Sequence, residues 1–137
     1  MKAEQYISQV AKLDKLIANK MIEKEQWHAI ATSTTASLSD GDRVQSSGNP
    51  QKMAEAVHKM IEIQDEIDDS IEKYIIIKHD VINTIETLPV IEYDIIHKLY
   101  IQGMDAETIA GQYGMSKSWV FDRRHKAFRL LDKKMNK

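Results

Sequence analysis

From Met53 to Leu88 a seam recurs in strict alternation of four and three residues, apolar except at Gln64 and Lys78: Met53, Val57, Met60, Gln64, Ile67, Ile71, Tyr74, Lys78, Val81, Ile85 and Leu88. A seam repeating every seven residues keeps one narrow face of a helix buried, so this stretch reads as five heptads of a helix in coiled-coil packing. At about 1.5 Å per residue such a helix is on the order of 50 Å long. It needs a partner of similar length, and the sequence supplies one. Between Ala3 and Ala31 the residues Ile7, Val10, Leu13, Leu16, Ile17, Met21, Trp27 and Ile30 follow helical spacing, with no glycine or proline. This predicts a first amphipathic helix of roughly 40 Å.

Thr32 to Asn49 breaks the pattern with Thr32-Ser33-Thr34-Thr35, Asp40-Gly41-Asp42 and Ser46-Ser47-Gly48-Asn49. Turn formers at this density predict a mobile connector, with Asn49-Pro50 as cap and first residue of the next helix. Arg43 and the Ser46–Asn49 turn are candidates to hold a phosphate or a partner. Joined this way, the two helices should fold back as a long antiparallel hairpin. If Ala31 and Pro50 lie at the same end, Asp65, Glu66, Asp68, Asp69 and Glu72 come opposite Lys12 and Lys15. Val81 to Leu88 then projects past the first helix, and Ile75, Ile76, Ile77, Ile82 and Ile85 add apolar surface that one hairpin cannot cover. The expected outlet is self-association as a homodimer or small oligomer, or docking of the carboxyl-terminal part.

After Leu88-Pro89 the pattern changes. A helix runs through Ile91, Ile95, Ile96, Leu99 and Tyr100 to Gly103. Asp105 caps a short helix, Ala106–Gln112, and Ser116 caps a last one from Lys117 to about Lys133 that buries Val120, Ala127 and Leu131. Ala110 is small where two helices would cross, Gly114 suits a left-handed turn four residues later, and Val120 plugs the following helix into the core. These are the steric demands of a helix-turn-helix. Charge agrees with that reading. Residues 1–87 hold 10 basic and 15 acidic side chains, whereas 88–137 hold 9 and 6, with 8 of the basic ones after Ser116. A cationic last helix is the electrostatic footprint of a nucleic-acid binder. On it Ser116, Lys117, Ser118, Phe121, Asp122 and His125 fall on the face expected to enter the major groove, and Arg124, Lys126 and Arg129 are placed to hold phosphates.

Other chemistry finds no footing. There is no cysteine, and His28, His58, His79, His97 and His125 are dispersed. The acidic run on one helix reads as a solvated face rather than a metal cage, whose ligands must converge from several elements. No phosphate-cradling glycine loop, nucleophile elbow or acid–base pair is present. The expectation is an all-α, non-enzymatic protein without metal or cofactor, cytoplasmic because no stretch is apolar enough to span a membrane. It divides into a hairpin for oligomerisation, 1–87, with connector 32–49, and a DNA-binding module, 88–137.

Leu88-Pro89, Ile95-Ile96, Tyr100, Gly103, Asp105, Glu107, Ile109-Ala110, Gly114-Met115-Ser116, Val120 and Ala127 resemble region four of sigma-70-type factors, which reads the −35 promoter element. With Tyr6-Ile7-Ser8, Ala31-Thr32-Ser33, Val44-Gln45-Ser46-Ser47 and Lys52-Met53-Ala54, the chain also resembles small phage and prophage proteins of Gram-positive bacteria described as sigma-like or late-gene transcriptional regulators. The resemblance implies a phage-type transcription regulator acting with the RNA polymerase of a bacterial host. It departs from region four at Lys98-Leu99, where Leu-Arg is common, and at Arg123, where the pattern is aliphatic. Two other readings compete with it. One is a DNA-packaging component resembling a small terminase subunit, and the other is a polymerase-binding protein whose degenerate sigma-like module does not read DNA.

Overall fold

The computed structural model describes residues 1–39 and 49–136, the side chains of 33–39 and 49 excepted. Every regular element among the described residues is helical: α1 (Ala3–Ser39), α2 (Asn49–Ile85), α3 (Val90–Ile96), α4 (Ala106–Tyr113) and α5 (Lys117–Met135). A single π turn, His97–Ile101, continues α3. None of these helices is long and apolar enough to cross a membrane.

The first helix does not stop at Ala31. It continues through Thr32 to Ser39, which corrects the expected start of the connector. Serine and threonine cost a helix only a few tenths of a kcal/mol each, and no glycine or proline intervenes before Gly41. Thr32 also turns its hydroxyl back to donate to the His28 carbonyl, 2.9 Å away, which lets the side chain bond without unwinding the turn. Of the mobile connector expected over 32–49, residues 40–48, Arg43 and most of the Ser46–Asn49 turn among them, lie outside the described residues. The second helix opens at Asn49 with Pro50 in its first turn, a position where the missing N–H costs nothing.

The chain forms two compact units, one of Lys15–Glu72 and one of Met1–Asp14 with Lys73–Lys137. In the first, α1 and α2 pass in opposite directions, with Lys20 Nζ 2.8 Å from Glu66 Oε2 and Lys24 donating to Gln64. Within the acidic run Glu66 is thus met by Lys20 rather than by Lys15. The expected register was anchored on a helix end at Ala31, and the added turns of α1 move that anchor. The apolar core here is thin: Ile17, Ala56, Ile63 and Ile67 are buried, whereas Leu16, Met21, Ile22, Val57 and Ile61 are exposed.

The second unit is built differently. Ala3, Ile7 and Val10 from the start of α1 pack with Val81, Ile85 and Leu88 and with Ile96, Ala127, Phe128 and Leu131. The end of α2 thus has an apolar cover from both α1 and α5, and of the surplus isoleucines only Ile75 and Ile76 remain strongly exposed. The expectation that Val81–Leu88 lies past the reach of α1 is corrected by the same contacts. A division after Thr87 separates residues that this unit packs together.

The last turns of α5 also bond to the start of α1 and to the turn that follows α2. Asp132 Oδ1 accepts from the Ala3 N–H at 2.7 Å, and Lys134 Nζ donates to the Thr87 carbonyl at 3.0 Å. The first N–H groups of a helix, that of Ala3 among them, have no intrahelical partner. A carboxylate at the first turn and an ammonium just past the last one also suit the helix dipole.

Candidate nucleic-acid interface

A second apolar cluster holds α4 against α5 and α3: Ile95, Ala106, Ile109, Ala110 and Val120, flanked by Leu99, Met104, Tyr113 and Trp119. Each helix boundary in this region has a local cause. Asp105 accepts from the Thr108 N–H at 2.7 Å and starts α4. Ser116 Oγ accepts from the Trp119 N–H at 3.2 Å and starts α5. Between them Gly114 takes φ 64° and ψ 31°, closing α4 with Met115 N–H on the Ala110 carbonyl at 2.9 Å. A methyl group on Gly114 would meet nothing within 4 Å, so the constraint there is backbone conformation alone. Gly114→Ala is expected to destabilise the unit by about 1–2 kcal/mol, read as a lower midpoint in urea with an unchanged m-value.

Of the positions singled out in the sequence, Lys117, Ser118, Phe121, Asp122, His125, Lys126 and Arg129 are exposed on α5, while Val120, Ala127, Phe128 and Leu131 are buried. Ser116 is also exposed, with its hydroxyl engaged as the cap. Helical spacing brings Ser118, Asp122, His125 and Arg129 onto one stripe, at three and four residues, with Lys117 at its head.

Arg124 lies elsewhere. Its Nε donates to the Tyr100 hydroxyl and its Nη2 to Glu4 Oε1, both at 2.9 Å, and the guanidinium sits over the Phe128 ring at 5.7 Å. Burial opposes its charge, but the bonds to Tyr100 and Glu4 outweigh that and raise its pKa. A phosphate contact by Arg124 would come at the expense of these bonds, which tie α5 to the π turn and to the start of α1.

The sequence reading missed Glu92. It is 2% exposed, the one buried charged residue among those described. Its Oε1 accepts from Arg123 Nη1 at 3.1 Å and faces Lys126 Nζ at 3.3 Å. Burial pushes this carboxyl up, but its own backbone N–H and the two cations pull it further down, leaving it below the ordinary carboxylate range. Arg123 lies three residues after the buried Val120 and four before the buried Ala127, and a cation that close to a core-facing stripe calls for an anionic partner. That was the available signal.

Arg123 also covers the Trp119 ring at 5.5 Å, and Trp119 packs on Tyr113 with ring centroids 5.2 Å apart. Tyr113 in turn donates to Asp94, which pairs with Lys98 at 2.9 Å. Burial together with Asp94 pushes the Tyr113 hydroxyl up to about 12. Trp119 is thereby a packing residue in a chain of contacts linking α3, α4 and α5. Among the described residues no cluster of ligands could hold a metal ion.

No family model, curated protein or solved structure matches the chain.

Proposed function

We propose that the chain is a sequence-specific DNA-binding transcription regulator of phage type, in which α4 and α5 form a helix-turn-helix and α5 enters the major groove. The reading rests on one observation above others. The two faces of α5 divide cleanly, with Val120, Ala127, Phe128 and Leu131 in the core and Lys117, Ser118, Phe121, Asp122, His125 and Arg129 exposed. These side chains suit base and phosphate contacts: Lys117 for guanine or a phosphate, Phe121 for a thymine methyl, Asp122 for cytosine N4 and Arg129 for the backbone. In this reading the protein works in the bacterial cytoplasm with RNA polymerase as partner.

Selection of bound duplexes from a random library is expected to return a defined sequence. On that target Lys117→Ala or Phe121→Ala should change the preferred base pair, at about 1–3 kcal/mol per lost contact. Arg129→Ala should weaken all sequences alike and reduce the log–log salt slope by about 0.9. Folded variants with wild-type selectivity would show that this face does not read DNA. Mapping of bound sites after phage induction then separates promoter occupancy from packaging-site occupancy.

The α1–α2 hairpin is the proposed oligomerisation element, because Leu16, Met21, Ile22, Val57 and Ile61 are exposed over a thin core. Light scattering at tens of micromolar should report a dimer or small oligomer, shifted toward monomer by Ile22→Glu with Ile61→Glu. A monomeric wild-type mass would remove this part of the proposal.

A further inference from the structure

We infer that Glu92 governs how much of the positive charge of α5 is available to a nucleic-acid phosphate, by engaging Lys126 and Arg123 in ion pairs with its buried carboxylate. This rests on the DNA-binding reading above. A carboxylate as buried as Glu92 is costly unless it stays paired, and both of its cations meet the same oxygen, Oε1. Arg123 is further anchored over Trp119. Lys126 is the divided one, with its side chain 48% exposed and its ammonium on Glu92. To reach a phosphate it must leave a buried anion with a single partner, so Glu92 competes with DNA for it.

Lys117 and Arg129 have no ion pair among the described residues and carry no such penalty. The consequence is a ceiling on the sequence-independent part of binding. Several cations line the end of α5, yet the duplex is met by fewer, and contacts to bases supply a larger share of the affinity than the charge count suggests.

The test is a titration of wild type and Glu92→Gln with a duplex of mixed sequence at several salt concentrations. Glutamine keeps an acceptor for Arg123 and releases Lys126. The variant should bind every sequence more tightly at low salt, with a log–log slope steeper by about 0.9, so that fourfold more salt weakens it about 3.5-fold more than wild type. Adding Lys126→Ala to Glu92→Gln should return the slope to the wild-type value, which general loosening of the fold would not do.

A second measurement uses the wild-type protein alone and decides the matter should Glu92→Gln not fold. Lysine acylation read by mass spectrometry, with and without duplex, should show Lys117 protected and Lys126 equally modified in both. An unchanged slope in folded Glu92→Gln, or protection of Lys126 to the extent of Lys117, overturns the inference while leaving DNA binding intact. Wild-type protein that binds no duplex at low salt overturns the DNA-binding reading and the inference together.

Discussion

A fragment of residues 88–137 is expected to be largely unfolded, although it contains α3, α4 and α5 entire. Ala127, Phe128 and Leu131 on α5 are covered by Ala3, Ile7, Val10, Val81 and Ile85, all of which the fragment lacks. Ile7 is fully buried, and its truncation alone, as Ile7→Ala in the full chain, should cost about 2–5 kcal/mol. Against a total stability of about 5–15 kcal/mol for a small domain, removing the whole cover leaves little margin. Far-ultraviolet circular dichroism and amide shift dispersion should report a frayed chain without a cooperative melt. Residues 1–14 joined to 73–137 through a short glycine-rich linker should by contrast melt cooperatively, because they make up one compact unit. A well-dispersed, cooperatively melting 88–137 would show that the cover is dispensable.

Val120→Asp should unfold the α4–α5 pair and abolish DNA binding, whereas Phe121→Asp, one residue along, should leave the fold intact. Val120 is fully buried among Ile95, Ala106, Ile109 and Ala110, where an unpaired polar group costs about 2–7 kcal/mol and a charge more. Phe121 is 38% exposed, and substitutions at such surface positions stay within about 0.5 kcal/mol. Thermal melts of the two variants, read beside duplex titrations, separate loss of fold from loss of a contact. A stable Val120→Asp protein that bound duplex like wild type would mean that this crossing does not position α5. A Phe121→Asp protein that melted early would place Phe121 in the core.

The parts of this architecture that the sequence displays are those decided locally. Asp105 and Ser116 cap helices through hydrogen bonds spanning three residues. Gly114 needs only its own φ, and Val120, Ala127 and Leu131 follow from helical periodicity. What the sequence conceals is decided by partners far along the chain. The run Thr32–Ser39 is turn-forming by composition yet helical, and the α1–α2 register shifts with it. Arg124 looks like one more cation on a basic helix until Glu4 and Tyr100 are seen to hold it. Glu92 carries no signature of its own, because a single glutamate in the first turn of a helix is ordinary. Its meaning comes from Arg123 and Lys126, about thirty residues later.

The bond from Ala3 to Asp132 spans 129 positions, and that separation sets the order in which the protein can be made. On a ribosome the start of α1 emerges long before α5, so Ala3, Ile7 and Val10 wait in water, without their final cover, until nearly the whole described chain has been synthesised. Contacts of such long range slow folding, because the intervening loop must close before any of them forms. During that interval the nascent chain presents an amphipathic helix with an open apolar face, the kind of surface that chaperones shield and that aggregates when crowded. The unit therefore closes only after α5 has emerged, and premature termination within α5 leaves the start of α1 without the Asp132 carboxylate and the turn after α2 without Lys134.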